Sequence, residues 1–269
     1  MTQAPAVLTQ TWDSEALGRK KSVSVVLPPS YTPVGAPFAV VYLLHGFGGN
    51  RRTWLGCPDL RALAAKARTI LVLPESGRYW MINDAAGRRY EDYLMDEVID
   101  YVDDHFNTVA ACGGRAMAGF SMGGASALFL ALRHSRRVSV VASNSGAFEA
   151  PLREGDPYQA WRSDGGPGMP TVEEHERVWG PAGSVVRAAY DPGRLLDAGD
   201  RAGLPHLYLD VGVDDYPRMI AMNRRMDDAL SQREIPHEYG ERPGGHDWQF
   251  VNAGLPQVFG FIKEHIAAA

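Results

Sequence analysis

The chain has 269 residues, 45% of them hydrophobic and 22% charged, with a formal charge of −5. This is enough apolar chain to bury a substantial core, and the acidic balance argues against nucleic acid or an anionic membrane as the main partner. Eight histidines and two cysteines, Cys57 and Cys112, include no His-x-x-x-His or Cys-x-x-Cys pair; no metal site and no disulfide scaffold is expected, and both thiols are read as free.

The first twenty residues lack the basic-then-apolar order of a signal peptide, and no apolar run reaches the length of a membrane span. A cytoplasmic protein with no membrane partner is the expectation. Ser22–Pro28 is β-branched and predicts the first strand. Phe38–Leu44 and Arg68–Pro74 are almost continuously apolar, as a parallel strand buried on both faces must be. Glu91–Phe106 sets Leu94, Val98, Tyr101 and Val102 on one face, opposite acidic residues, and predicts an amphipathic helix. A strand at Arg115–Phe120 leads into a small, apolar helix at Gly124–His134, and Val138–Ser143 predicts another strand.

From Ala147 to about Gly203 no strand is evident, and so long an excursion between core strands predicts a lid-like insertion rather than a linker. Leu207–Gly212 resumes the sheet, Pro217–Gln232 predicts a helix, and His237–Arg242 is a more polar final strand suited to an edge. Trp248–Ala267 closes the chain as a helix that Pro256 should kink or split. Strands alternating with helices imply a single α/β domain, a mostly parallel, doubly wound sheet with helices on both faces.

Between the third apolar strand and its helix stands GFSMGG, with Ser121 bracketed by Gly119 and Gly123. Strand–serine–helix is the setting of a nucleophile elbow, where glycines let neighbouring backbone pass close to a strained serine. A serine hydroxyl needs a base, and this architecture places acid and histidine after it in the chain. His45 comes too early. His105, His134 and His265 fall in helices, His175 lies in the excursion, and His206 and His237 open strands. His246, in the GGHDW loop between the last strand and last helix, is the expected base. For the acid, VGVDD supplies Asp214 and Asp215, between which alternation does not choose, while Asp210 inside the strand reads as structural. The backbone N–H of Met122, directly after the serine, and that of Phe47, in the LLHGFGGN turn, are the expected oxyanion donors.

These segments resemble the esterase D-like branch of the α/β hydrolases, which includes feruloyl and other carboxylesterases, S-formylglutathione hydrolases and, more distantly, mycolyltransferases. The resemblance spans roughly residues 20–265. It is carried by LLHGFGGNRRTW, VLPESGRYWMIND, YEDYLMDEVIDYVDDHF, GFSMGG and GGHDWQF. It implies an α/β-hydrolase fold and a cofactor-free serine esterase acting on small-molecule esters. The family spacing, with the acid three residues after a glycine, favours Asp215 over Asp214. The chain lacks the cysteine-containing segment expected after the oxyanion strand in S-formylglutathione hydrolases. Trp80, Trp161, Trp179 and Trp248 are candidate pocket walls, and Arg78 and Asn83 candidate polar contacts. The same fold serves acyltransferases and non-catalytic binding proteins, though an ordered Ser, acid and His set argues against the latter. The sequence does not specify an oligomeric state; a homodimer stays open.

Overall fold

The apolar runs form the centre of one eight-stranded sheet. The computed structural model describes residues 6–154, 170–198 and 203–267. Its strands are β1 (Ala6–Ser14), β2 (Arg19–Leu27), β3 (Ala39–Leu44), β4 (Thr69–Leu73), β5 (Arg115–Phe120), β6 (Val140–Asn144), β7 (His206–Gly212) and β8 (His237–Arg242). They lie in the order β1-β2-β4-β3-β5-β6-β7-β8. β1 and β2 run antiparallel, β2 meets β4 antiparallel, and from β4 onward all pairs are parallel. Every residue of β3, β4, β5 and β6 is buried, because helices cover both faces of the parallel part. The polar β8 is the edge it was expected to be.

Helices α1 (Leu60–Ala67) and α8 (Trp248–His265) cover one face. The other carries α3 (Met122–Arg133), the C-terminal part of α7 (Pro217–Gln232), and α2, which runs from Tyr90–Asp92 through a π-helical stretch at Tyr93–Val98 into Ile99–His105. Within the excursion the described residues form short helices: a 3₁₀ turn at Ala150–Leu152, then α4 (Val172–Trp179), α5 (Val185–Ala189) and α6 (Pro192–Ala198). No strand lies among the described residues of the excursion, in line with the sequence. Its amphipathic α4, which buries His175, Val178 and Trp179 behind a Thr171–Glu174 capping box, was not anticipated.

Three elements differ from expectation. β1 pairs along its whole length with β2, although its side chains are mostly exposed and show no buried run from which to predict it. α1 buries Leu60 and Ala64, one turn apart, which is too short a stripe to stand out in sequence. Pro256 does not split α8: one continuous helix runs from Trp248 to His265. The loss of a single intrahelical bond is outweighed by the buried face of Phe250, Val251, Leu255, Val258, Phe259 and Ile262. Among the described residues no helix is long and apolar enough to cross a membrane.

Candidate active site

Because β3, β5, β6, β7 and β8 are parallel, the turns after them gather at one end of the sheet. Ser121 sits between β5 and α3 with φ 56° and ψ −115°, a conformation L-residues seldom adopt. Its N–H donates to Asn144 O at 2.9 Å, and its carbonyl accepts from Ala125 and Ala147 at 3.1 Å each. The glycines make this turn possible. A Cβ on Gly119 would run into the Gly123 carbonyl, and one on Gly123 into the Leu44 carbonyl.

The loops after β7 and β8 deliver the partners. Asp215 Oδ2 accepts from His246 Nδ1 at 2.9 Å, and its Oδ1 accepts from Tyr216 N–H at 2.6 Å. A carboxylate only accepts, so Nδ1 carries the proton and Nε2 is left as acceptor for the Ser121 hydroxyl, at 2.9 Å. The Asp215 side chain is fully buried, whereas Asp214 points to solvent. The imidazole lies against Phe120, ring centroids 4.7 Å apart. Asp247, next to His246, caps α8 by accepting from Phe250 N–H at 2.8 Å and so anchors the loop.

Phe47 and Met122 both face the pocket above Ser121, and neither amide donates to another group among the described residues. The Phe47 turn is braced from below by His45. Its Nδ1–H donates to Gly46 O at 2.7 Å and its Nε2 accepts from Ser76 N–H at 3.0 Å. Burial holds the pKa of this histidine below its ordinary value, which keeps it in the neutral form that both bonds require. Gly48 N–H, bonded to Gly77 O at 2.9 Å, ties the same two loops together.

The pocket holds about 480 Å³, part of it open to solvent. Its walls include Phe47, Trp80, Met122, Ala147, Ala150, Pro170, Met219 and Met222, with Arg153 and Arg218. Of the three described tryptophans among those expected as walls, Trp80 lines it and Trp179 and Trp248 do not. Trp179 stands behind, fully buried and edge-on to Trp80 at 4.9 Å. Trp248, partly buried, packs against the core on the opposite face of the sheet, edge-on to Trp54 and Phe120. Trp161 lies outside the described residues. Arg78 bonds both Glu174 oxygens at 2.7 Å and Asn83 donates to Asp92 at 2.7 Å, so neither lines the pocket. Met219 and Met222, on the first turns of α7, escaped the sequence reading because a Met stripe at helical spacing looks like ordinary core. Among the described residues no group of three or more His, Cys, Asp or Glu is placed to hold a metal ion.

An esterase of Mycobacterium tuberculosis is 28% identical over 268 residues, covering 90% of this chain; the match spans only 56% of that relative's length. An acetyl esterase of Caldicellulosiruptor saccharolyticus is 24% identical, covering 83% of each chain. Among solved structures, a fluorophosphonate-binding serine hydrolase of Staphylococcus aureus superposes with a TM-score of 0.81, at 22% identity and over 97% of this chain and 99% of that one, a likeness of fold. The eight-stranded, mostly parallel sheet is thus the α/β-hydrolase arrangement. The model of the Esterase family, described as "Putative esterase", matches residues 14–262, nearly the whole chain with every element of the site just described, and the chain belongs to that family.

Proposed function

We propose that this protein is a serine carboxylesterase that hydrolyses small or aromatic acyl esters. The observation that carries the reading is the continuous hydrogen-bonded path Asp215–His246–Ser121, with the serine in a strained turn at the floor of a pocket. His246 Nε2 takes the Ser121 proton as Oγ bonds to the ester carbonyl carbon. Asp215 holds the imidazole in the required tautomer and stabilises the imidazolium that forms. The amides of Phe47 and Met122 bind the oxyanion of the tetrahedral intermediate; each such donor contributes on the order of 3 kcal/mol of transition-state stabilisation. Collapse expels the alcohol, which takes the proton from Nε2. A water then enters, gives its proton to Nε2, attacks the acyl-enzyme and releases the acid as Oγ is reprotonated.

Mostly apolar walls around Ser121 support a small or aromatic acyl group, and the acetyl esterase relative supports the small end of that range. Ala147, Ala150, Arg153 and Pro170 come from the excursion, which supports reading residues 147–203 as an insertion that helps shape the pocket. The test is hydrolysis of p-nitrophenyl acetate and butyrate by the wild type and Ser121→Ala, with intact mass after a fluorophosphonate probe. Expected are a kcat lower by about 10,000-fold or more in the variant, and a single adduct, at Ser121, in the wild type alone. A folded wild type with neither turnover nor adduct would sink the proposal.

A further inference from the structure

We infer that the Arg242–Asp210 ion pair, in which the carboxylate is fully buried and the guanidinium partly so, is a positioning element of this site, setting the spacing of the loops that carry Asp215 and His246; the inference rests on the esterase reading above. Asp210 lies on β7 and Arg242 ends β8, each shortly before the loop that bears its site residue. Gly212 pairs with Arg242 in the ladder, so the two side chains reach toward each other across neighbouring strands.

Asp210 is fully buried, and its carboxylate is surrounded. Oδ2 accepts from Arg242 Nε at 2.8 Å and from the Tyr208 hydroxyl at 3.0 Å, and Arg242 Nη2 lies 2.7 Å away. Oδ1 accepts from Asn144 Nδ2 at 2.7 Å. Asn144 ends β6, and its carbonyl is the acceptor of the Ser121 N–H. The Asp210 carbonyl accepts from Ser145 N–H at 2.7 Å. Asp210 therefore joins β6, β7 and β8, and reaches the Ser121 backbone through Asn144.

Arg242 extends the connection into α8. Its guanidinium lies on the face of Phe250, 4.0 Å from the ring centroid, and fits there because Gly254 has no side chain; a Cβ would collide with it. Phe250 is the residue whose N–H Asp247 caps, beside His246. The backbones agree: Val213 N–H donates to Arg242 O at 2.9 Å and Asp214 N–H to Gly244 O at 3.0 Å.

An ion pair at this place calls for a reason. Apolar side chains of similar volume often stabilise a fold as well as a buried ion pair or better. β8 is an edge strand with no fully buried residue, so apolar packing does little to locate it. A planar guanidinium fixed by a carboxylate and an aromatic face supplies direction that apolar contact lacks. The loop whose position most needs definition, the His246 loop, follows directly.

The test uses Arg242→Lys, the neutral double variant Asp210→Asn/Arg242→Gln, and Tyr208→Phe, which removes a single hydroxyl and leaves the ion pair intact. Thermal unfolding establishes that each is folded at the assay temperature. On p-nitrophenyl acetate the double variant should lose about 10- to 100-fold in kcat, with KM within about twofold, because the reacting groups are misaligned while the pocket walls stay in place. Its fluorophosphonate labelling rate should fall in parallel. Arg242→Lys should recover part of the loss, and Tyr208→Phe should show a smaller fall in the same direction. Folded variants with wild-type kcat and labelling rates would overturn the inference and leave the pair a purely stabilising contact, with the esterase reading intact. If the double variant does not fold, wild-type kcat and labelling rate in a folded Arg242→Lys, which loses the planar guanidinium, overturn it equally. A wild type without turnover or adduct removes the esterase reading and this inference together.

Discussion

Two adjacent carboxylates have opposite surroundings here. Asp214 faces water, while Asp215 is buried against the imidazole with its second oxygen held by the Tyr216 amide. Replacing Asp215 by Asn keeps the shape but offers the imidazole a donor, which favours the wrong tautomer. On p-nitrophenyl acetate, Asp215→Asn should lower kcat by about 10,000-fold, whereas Asp214→Asn should stay within about twofold of wild type. The adjacent pair differs by one residue in sequence, so only the direction of each side chain at the end of β7 separates them. The tryptophans make the same point. Their chemistry suits a pocket wall equally well, yet Trp80 lines it while Trp179 is buried core and Trp248 packs against the other face of the sheet.

At the scale of elements, the serine turn depends on how closely β3, β5 and α3 pack. Leu44 O and His45 O lie where a Gly123 side chain would go, and these are backbone atoms that cannot rotate aside. Gly123→Ala should therefore lower stability by about 1–3 kcal/mol, seen as a reduced urea midpoint, and should also cut kcat because the displaced segment carries His45 and the Phe47 amide. A second junction ties the segment after α5 to the body of the fold. Glu91, buried on α2, accepts from Arg133 Nε at 2.9 Å and His134 Nε2 at 2.6 Å, at the end of α3, and from the Tyr190 hydroxyl that follows α5. Burial alone would raise the pKa of this carboxyl; the bonds from His134, Tyr190 and Arg133 outweigh it and hold it below the ordinary value.

For the molecule as a whole, buried groups of this kind decide how it responds to acid. His175 is buried on α4, and burial first, then the nearby positive charges of Arg187 and Arg153, push its pKa from 6.5 down to about 4, against a raising bond to the Arg153 carbonyl. The unfolded chain takes up that proton near pH 6.5 and the folded chain only near pH 4, so stability is complete above the upper value and declines as pH falls between the two. This one group accounts for about 3 kcal/mol across that window. His45, lowered by burial, and Glu91, depressed by its partners, act in the same direction. The melting temperature should fall steadily from pH 6.5 to pH 4, and His175→Gln should flatten that slope; an unchanged slope in the variant would refute the assignment.

The sequence by itself determined the parallel core, the polar edge strand, the serine turn and the order of the site residues along the chain. Each follows from local physics: continuous apolar runs, glycines where backbone must pass backbone, and a histidine in a loop freed by Gly244 and Gly245. The tertiary structure decided what depends on direction and on partners distant in sequence. It turned Asp215 rather than Asp214 toward His246, and chose Trp80 with two methionines as pocket walls. It also paired Asp210 with Arg242, and carried α8 through Pro256 on the strength of its buried face. Periodicity reports which face of an element is apolar, but not which other element it meets.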